Sequence, residues 1–320
     1  MSERFRDGAG GDASITVPVL PRRLRPGDTV ALVAPAGPVD PVRLERGTEV
    51  LEGLGLRVVH GASILARDGY LAGPDVARAA DLRDAWCDPG VAAVVCARGG
   101  YGVTRLLGLL DWDAMAAAGP KILLGSSDIT ALHRAFAERL GLATLFGPMP
   151  ATETIGGPEG PEPATFAHLR EALFEGGAPA PVTGDRVIVP GRGEGRLTGG
   201  NLALLAALCG TPYALRARGR VVLLEDVTEE PYRIDRMVTQ LLQAGCLDGA
   251  AGIALGSWVD CGDPLPMLAE RLAPLGVPIV AGLPVGHGAP QMAMWLETNV
   301  AIDTELCSIS GTFRDSDAAT

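Results

Sequence analysis

A serine, a carboxylate and an imidazole, each placed where a strand-like apolar run ends, are the side chains of this sequence best suited to do chemistry together. Ser127 lies in the stretch Gly119–Leu132, GPKILLGSSDITAL, where Ile122-Leu123-Leu124 reads as a buried strand. The chain bends at Gly125, and Ser126-Ser127-Asp128 opens a helical segment over Ile129–Leu142. A strand that turns sharply into a helix pushes a hydroxyl beyond the sheet edge and aims free N–H groups at the same spot. That suits a nucleophile with part of its oxyanion hole. Ser and Asp before a helix are also ordinary caps, and Ile129 occupies the place of the second glycine in G-x-S-x-G. Ser127 therefore needs partners.

The chain has 4 histidines: His60, His133, His168 and His287. Only His287 sits between glycines in a turn after a strand, Pro278–Ala281. Glu225 ends the apolar run Arg220–Leu224 rather than lying on a polar face. A carboxylate so placed is either a satisfied structural acid or the group that fixes an imidazole's tautomer and stabilises its cation. The order Ser127, Glu225, His287 is one of several known for a nucleophile, an orienting acid and a base, and the chain's order leaves their proximity open. A glycine-rich turn, Arg98-Gly99-Gly100-Tyr101-Gly102, follows the strand Val91–Cys96 and sets a second special loop beside the first.

Other chemistries fit less well. There is no H-E-x-x-H or C-x-x-C, so no metal is expected. A phosphate-binding G-x-x-x-x-G-K-[ST] loop is missing, and Arg105 breaks a dinucleotide fingerprint at its third glycine. No cofactor is expected. Cys96 with His287 would make a different hydrolase, but Val94 stands where its sharp turn needs glycine. A two-domain protein that closes on a ligand without chemistry would need none of these three residues.

The elements that must position these groups alternate. Strands at Thr29–Ala34 and Leu56–Val59 flank a helix at Val42–Leu54, and Asp75–Trp86 forms another before Val91–Cys96. A helix starting in Thr104–Leu110 follows. This β-α-β order predicts a parallel sheet. Pro, Gly, Glu and Ala crowd into the chain from Pro148 to Gly184, with one helix at Ala164–Phe174, as in an interdomain connection. Beyond it come strands at Arg186–Val189, Arg220–Leu224, Ala251–Leu255 and Pro278–Ala281, and helices at Leu202–Leu208 and Tyr232–Ala244. The expected architecture is α/β: an N-terminal parallel-sheet domain with the nucleophile turn (23–150), a connection (151–184), and a smaller C-terminal α/β domain carrying Glu225 and His287 (185–314). Residues 1–22 read as a flexible leader and 315–320 as a disordered tail.

Composition agrees. The 320 residues can bury two cores, and 43 glycines with only 4% aromatics suit alternating strands and helices. A net charge of −11 argues against nucleic-acid or anionic-membrane partners. Met1–Ser14 lacks the apolar segment of a signal peptide, and the 6 cysteines are scattered. A cytoplasmic protein with reduced thiols is expected.

An ordered set of short motifs resembles the LD-carboxypeptidases, the S66 serine peptidases. It comprises Pro26-Gly27-Asp28, Ala34-Pro35-Ala36-Gly37, Gly69-Tyr70-Leu71-Ala72-Gly73, Arg98–Gly102, Ser127–Leu132, Gly147-Pro148-Met149 and Gly199-Gly200-Asn201-Leu202. Gly210–Tyr213, Leu224-Glu225-Asp226, Glu230–Arg236 and Gly286-His287-Gly288 complete it, so the likeness spans Leu24 to Pro290. The resemblance implies a site between two domains, with Ser127 as nucleophile, Glu225 and His287 as its partners, and the Gly100 and Asp128 N–H groups as oxyanion hole. It implies removal of the terminal D-alanine from muropeptide tetrapeptides in cell-wall recycling, by a homodimer. A sister branch hydrolyses microcin C-type peptide–nucleotides and holds the base with aromatic residues of an added loop. Here the connection offers only Phe166 and Phe174, which favours the carboxypeptidase. An acidic chain binding an anionic peptide tail needs local cations, and Arg98 and Arg233 are candidates, with Tyr101 and Asn201 as further substrate contacts. Departures from the family pattern stand at Ser126, at Phe146, and at Met294–Glu297 after Gly288. They bear on pocket shape.

Overall fold

The computed structural model describes residues 18–313. In chain order the elements are β1 (Thr29–Val33), α1 (Pro41–Gly53), β2 (Arg57–His60), α2 (Asp75–Cys87), β3 (Val91–Cys96), α3 (Trp112–Ala117), β4 (Ile122–Gly125), α4 (Thr130–Leu140) and β5 (Thr144–Phe146). The chain continues through α5 (Glu153–Gly156), α6 (Pro163–Phe174), β6 (Val182–Thr183), β7 (Arg186–Val189), β8 (Arg192–Asn201), α7 (Leu202–Ala207), β9 (Arg220–Val227) and α8 (Pro231–Gln243). It ends with β10 (Gly252–Val259), α9 (Leu265–Leu272), β11 (Ile279–Ala281), β12 (Met294–Leu296), β13 (Asn299–Asp303) and β14 (Ser308–Gly311).

Two sheets result, a 6-stranded one of order β12-β5-β4-β3-β1-β2 and an 8-stranded one of order β6-β14-β13-β8-β9-β10-β11-β7. In the first, β2, β1, β3, β4 and β5 run parallel, and β12 closes the edge antiparallel to β5. Both faces of that sheet are covered, as a parallel sheet requires. Val30, Leu32, Ala93, Val95, Ile122 and Leu124 face one core. Ala31, Val33, Val94, Cys96 and Leu123 face the other. The second sheet has a parallel centre, β8 to β11, with antiparallel strands on both sides. Alternation recurs there, with Val222 and Leu224 on one face and Val221 and Leu223 on the other.

The mixed α/β architecture with a parallel first sheet agrees with the expectation, and several local readings change. The leader predicted as flexible to residue 22 is docked from Val19 onward, where Val19 N–H donates to Gly141 O at 2.8 Å and Leu20 is buried. The predicted tail at 315–320 lies outside the described residues. No α-helix forms over Thr104–Leu110: Val103–Arg105 makes one 3₁₀ turn, and the helix waits for Asp111, whose carboxylate caps α3 through Ala114 N–H at 3.0 Å. The segment 151–184 is less a linker than a buttress, since Leu169, Ala172 and Leu173 of α6 join the first sheet's core. The chain also crosses back at its end, because β12, from the C-terminal half, belongs to the first sheet. Among the described residues no helix is long and apolar enough to cross a membrane.

Candidate active site

Ser127 occupies the bend between β4 and α4, at φ +61°. A left-handed backbone at a residue other than glycine costs of order 1–3 kcal/mol and persists only where its surroundings enforce it. Here Gly125 allows the reversal, because a Cβ there would lie 2.9 Å from the Ile129 side chain folded back over it. That contact requires glycine at 125, and Ile129 stands at the position where the familiar elbow carries its second glycine. Gly99, after β3, lies against the serine so closely that a Cβ would come within 2.7 Å of Ser127 Cβ and 2.9 Å of Oγ. Gly100, at φ +123°, packs in turn on Gly37, where a Cβ would meet Cα and N at 3.0 Å. Among the described residues neither the Gly100 nor the Asp128 N–H donates to a protein acceptor.

Glu225 is the last residue of β9 to pair with β8, opposite Asn201, and it is fully buried. Its Oε2 accepts a hydrogen bond from His287 Nδ1 at 2.7 Å, leaving Nε2 as the nitrogen available to a substrate or nucleophile. Gly286, at φ +120°, is required there, since a Cβ would run into the Glu225 carboxylate and lie 2.6 Å from Ser257 Oγ. The loop is held further by Gly288 N–H, which donates to Ser257 Oγ at 3.2 Å. Burial opposes a charge on His287, but the Glu225 hydrogen bond and charge, with that of Asp226, outweigh it and raise the imidazole pKa above its ordinary 6.5.

The remaining histidines are engaged elsewhere. His133 receives Thr144 Oγ1 at 2.8 Å on Nδ1 and donates from Nε2 to Gly125 O at 2.9 Å, and burial lowers its pKa to about 4. His168 accepts Ala293 N–H at 3.2 Å and donates to Ala180 O at 3.2 Å. His60 sits 3.0 Å from Thr48 Oγ1. Cys96 is fully buried, and desolvation, with Asp128 nearby, drives its thiol pKa far upward, so it is not a nucleophile.

Ser127 and His287, 160 positions apart in the chain, line one cavity of about 230 Å³ together with Arg98, Gly99 and Gly100. Arg98 donates to Gly99 O at 3.1 Å and to Pro38 O at 3.0 Å, and among the described residues no carboxylate pairs with it. Desolvation and the neighbouring Arg43 and Arg67 lower its pKa, which marks a cation without an internal counter-ion. The other proposed substrate contacts lie away from this cavity. Asn201 is buried at the start of α7, where its Oδ1 caps Leu204 N–H at 3.2 Å and its Nδ2 donates to Asp226 at 2.9 Å. Tyr101 is half exposed and stacks edge-on against Tyr70, with centroids 5.6 Å apart. Arg233 faces solvent beside Glu229, 3.7 Å away.

The sequence reading overlooked further residues that line the cavity, among them Asp40, Arg43, Thr152 and Glu153. Asp40 was legible in principle, because Asp-Pro after a strand is a helix start, and Asp40 does cap α1 through Val42 and Arg43 N–H at 2.9 Å. Glu153, paired with Arg43 at 2.5 Å, lay hidden in a stretch that reads as a linker. The departures find local partners. Ser126 Oγ accepts from Gln291 Nε2 at 3.3 Å, and Phe146 fills the space against Gly200.

Comparison with known proteins identifies the family. Residues 30–147 match the LD-carboxypeptidase N-terminal domain, and residues 194–302 match the LD-carboxypeptidase C-terminal domain. A Streptomyces coelicolor protein with a provisional carboxypeptidase designation is 54% identical over 282 residues, covering 84% of this chain and 88% of its own. The murein tetrapeptide carboxypeptidase of Pseudomonas aeruginosa is 37% identical over 281 residues, covering 82% and 89%. Among solved structures, the wild-type apo microcin C7 self-immunity protein MccF superposes with a TM-score of 0.84 at 26% identity, over 93% of this chain and 99% of that one. The chain belongs to the LD-carboxypeptidase family.

Proposed function

We propose that this chain is a serine carboxypeptidase with a Ser127–His287–Glu225 triad that releases the terminal D-alanine of murein tetrapeptides, cutting after an L-centre. The observation that carries the reading is the His287 Nδ1–Glu225 Oε2 bond of 2.7 Å, made by an imidazole that shares a cavity with Ser127. His287 Nε2 takes the Ser127 proton as Oγ attacks the scissile carbonyl carbon, and Glu225 stabilises the imidazolium that forms. Charge on the carbonyl oxygen falls to the free N–H groups of Gly100 and Asp128, donors of a kind worth roughly 3 kcal/mol each. Collapse breaks the C–N bond, and His287 returns the proton to the departing amine. Water then attacks the acyl-enzyme with His287 again as base, and Ser127 leaves with its proton restored.

Arg98 supports the exopeptidase character of this reading. An unpaired cation beside the nucleophile suits a free terminal carboxylate, which would form charge-assisted bonds with it. The MccF likeness favours a second reading, hydrolysis of a peptide–nucleotide. Against it, no Phe, Tyr or Trp among the described residues lines the cavity, and Phe174 packs on the first core instead. The working form proposed is a cytoplasmic homodimer, on the strength of the family resemblance. The test is incubation with murein tetrapeptide and, separately, with a peptidyl-adenylate analogue. D-Alanine release with the analogue left intact supports the carboxypeptidase, and the reverse selects the second reading.

A further inference from the structure

The carboxylate of Asp128 is not used in the mechanism above, which needs only its backbone N–H. Yet the side chain is 1% exposed, and its Oδ2 accepts Val103 N–H at 2.8 Å. Val103 begins the 3₁₀ turn that ends the Arg98–Gly102 loop, and Gly102 before it has no side chain to cap that turn. The cap is supplied instead by the residue next to Ser127. Gly99 O accepts Gly37 N–H at 3.1 Å at the loop's other end, and Gly102 O accepts buried Arg78 at 3.2 Å. Gly100 lies between these ties.

We propose, resting on the reading of Ser127 and the oxyanion hole given above, that the Asp128 side chain is a positioning residue. By accepting Val103 N–H, it clamps the glycine loop to the nucleophile turn, so that the Gly100 and Asp128 N–H groups converge on one oxygen. The two donors come from different strand ends, after β3 and after β4. Their spacing is therefore not set by one continuous backbone. An oxyanion hole requires donors held at hydrogen-bond distance from a position that exists only during reaction. A single cross-link anchored beside the serine meets that requirement. Burial, partly offset by Val103 N–H and Arg78, raises the Asp128 pKa to about 6. Arg78 of α2 and the Cys96 thiol at the end of β3 are the ionisable groups that bear on it. The role asks for an acceptor oxygen rather than a charge, so an amide of the same shape fills it.

The test compares wild type, Asp128→Ala and Asp128→Asn by D-alanine release from murein tetrapeptide and by the rate at which a fluorophosphonate probe labels Ser127. Thermal melts accompany both. The expected result is a fall in kcat of about tenfold or more for Asp128→Ala with KM nearly unchanged, and a parallel fall in labelling. Asp128→Asn, whose amide oxygen accepts the same N–H, restores both. Should the alanine variant not fold, Asp128→Ser, too short to reach Val103, takes its place. Unchanged kcat in Asp128→Ala, or an equal loss in Asn and Ala, overturns the proposal. Wild-type protein that is labelled but leaves the tetrapeptide intact refutes the carboxypeptidase reading alone, and the labelling rates still decide the role of Asp128. Wild type that is neither labelled nor active refutes both.

Discussion

Two arginines withdrawn from solvent, one in a network that bridges the two halves and one lining the cavity, are treated in opposite ways. Arg134 of α4 is 2% exposed as a side chain and is fully answered. It meets Glu138 at 2.7 Å, Glu297 at 3.3 Å and Thr198 Oγ1 at 3.0 Å, and Glu297 also takes Arg220 at 2.7 Å. Arg98, in the cavity beside Ser127, has two carbonyl oxygens and, among the described residues, no carboxylate. Buried charge is expensive unless paired, and the fold compensates one of these arginines with two acids and the other with carbonyl oxygens alone among the described residues. The same contrast runs through the carboxylates. Glu297 is saturated by arginines, whereas Glu225 bonds His287 through Oε2 and leaves Oε1 without a partner. The Arg134 network ties the two halves together, whereas the cavity side carries groups that no charged partner among the described residues saturates.

Substitutions on each side should separate catalytic loss from structural loss. The largest effect is expected on the cavity side from Glu225→Gln, which removes the charge and imposes the wrong tautomer on His287. Stopped assays should show kcat reduced by about 10³–10⁴-fold, with folding intact. The raised His287 pKa predicts the accompanying pH profile. The base must be neutral, so wild-type kcat/KM rises as pH climbs through a value above 6.5, and the midpoint moves down in the variant. Stability runs the other way. The folded state holds the His287 proton more tightly than the unfolded chain, so this pair adds stability below about pH 6.5 and loses it as pH rises through the folded pKa.

On the closed side, Glu297→Ala leaves Arg134 buried beside Arg220. Urea titration should show a loss of about 3–5 kcal/mol, with kcat of the molecules that remain folded little changed. An inactive variant of full stability would erase the distinction between the two sides. The smallest effect is expected from Arg98→Met, which keeps the stem and removes the cation. Tetrapeptide kcat/KM should fall about 10–100-fold, the worth of a charged hydrogen bond, while the melting temperature holds or rises. A large drop in stability would make Arg98 a structural group like Arg134.

Much of the cavity side was legible in the sequence because its chemistry is tied to local punctuation. Ser127 and His287 each stand in a glycine-marked turn after an apolar run, and Glu225 directly follows the buried apolar run Val221–Leu224 of β9. The closed side left no such mark. Arg134 is an ordinary helical position, and its partner Glu297 lies 163 residues on, so only the tertiary fold brings them together. Strands β12 to β14 were missed because they are short, and β12 follows a stretch rich in Gly and Pro whose local preference is for turns. Asn201 was misjudged for a related reason. Gly-Gly-Asn after a strand looks like a ligand loop, but Asn is also a preferred N-cap, and capping α7 is what it does.

The most direct test of the account is the intact mass and product analysis of wild type and Ser127→Ala incubated with murein tetrapeptide. Wild type should give free D-alanine and the matching tripeptide, and the variant neither above background, although both proteins melt alike. Tetrapeptide left whole by wild type, or D-alanine released at an undiminished rate by Ser127→Ala, would contradict it.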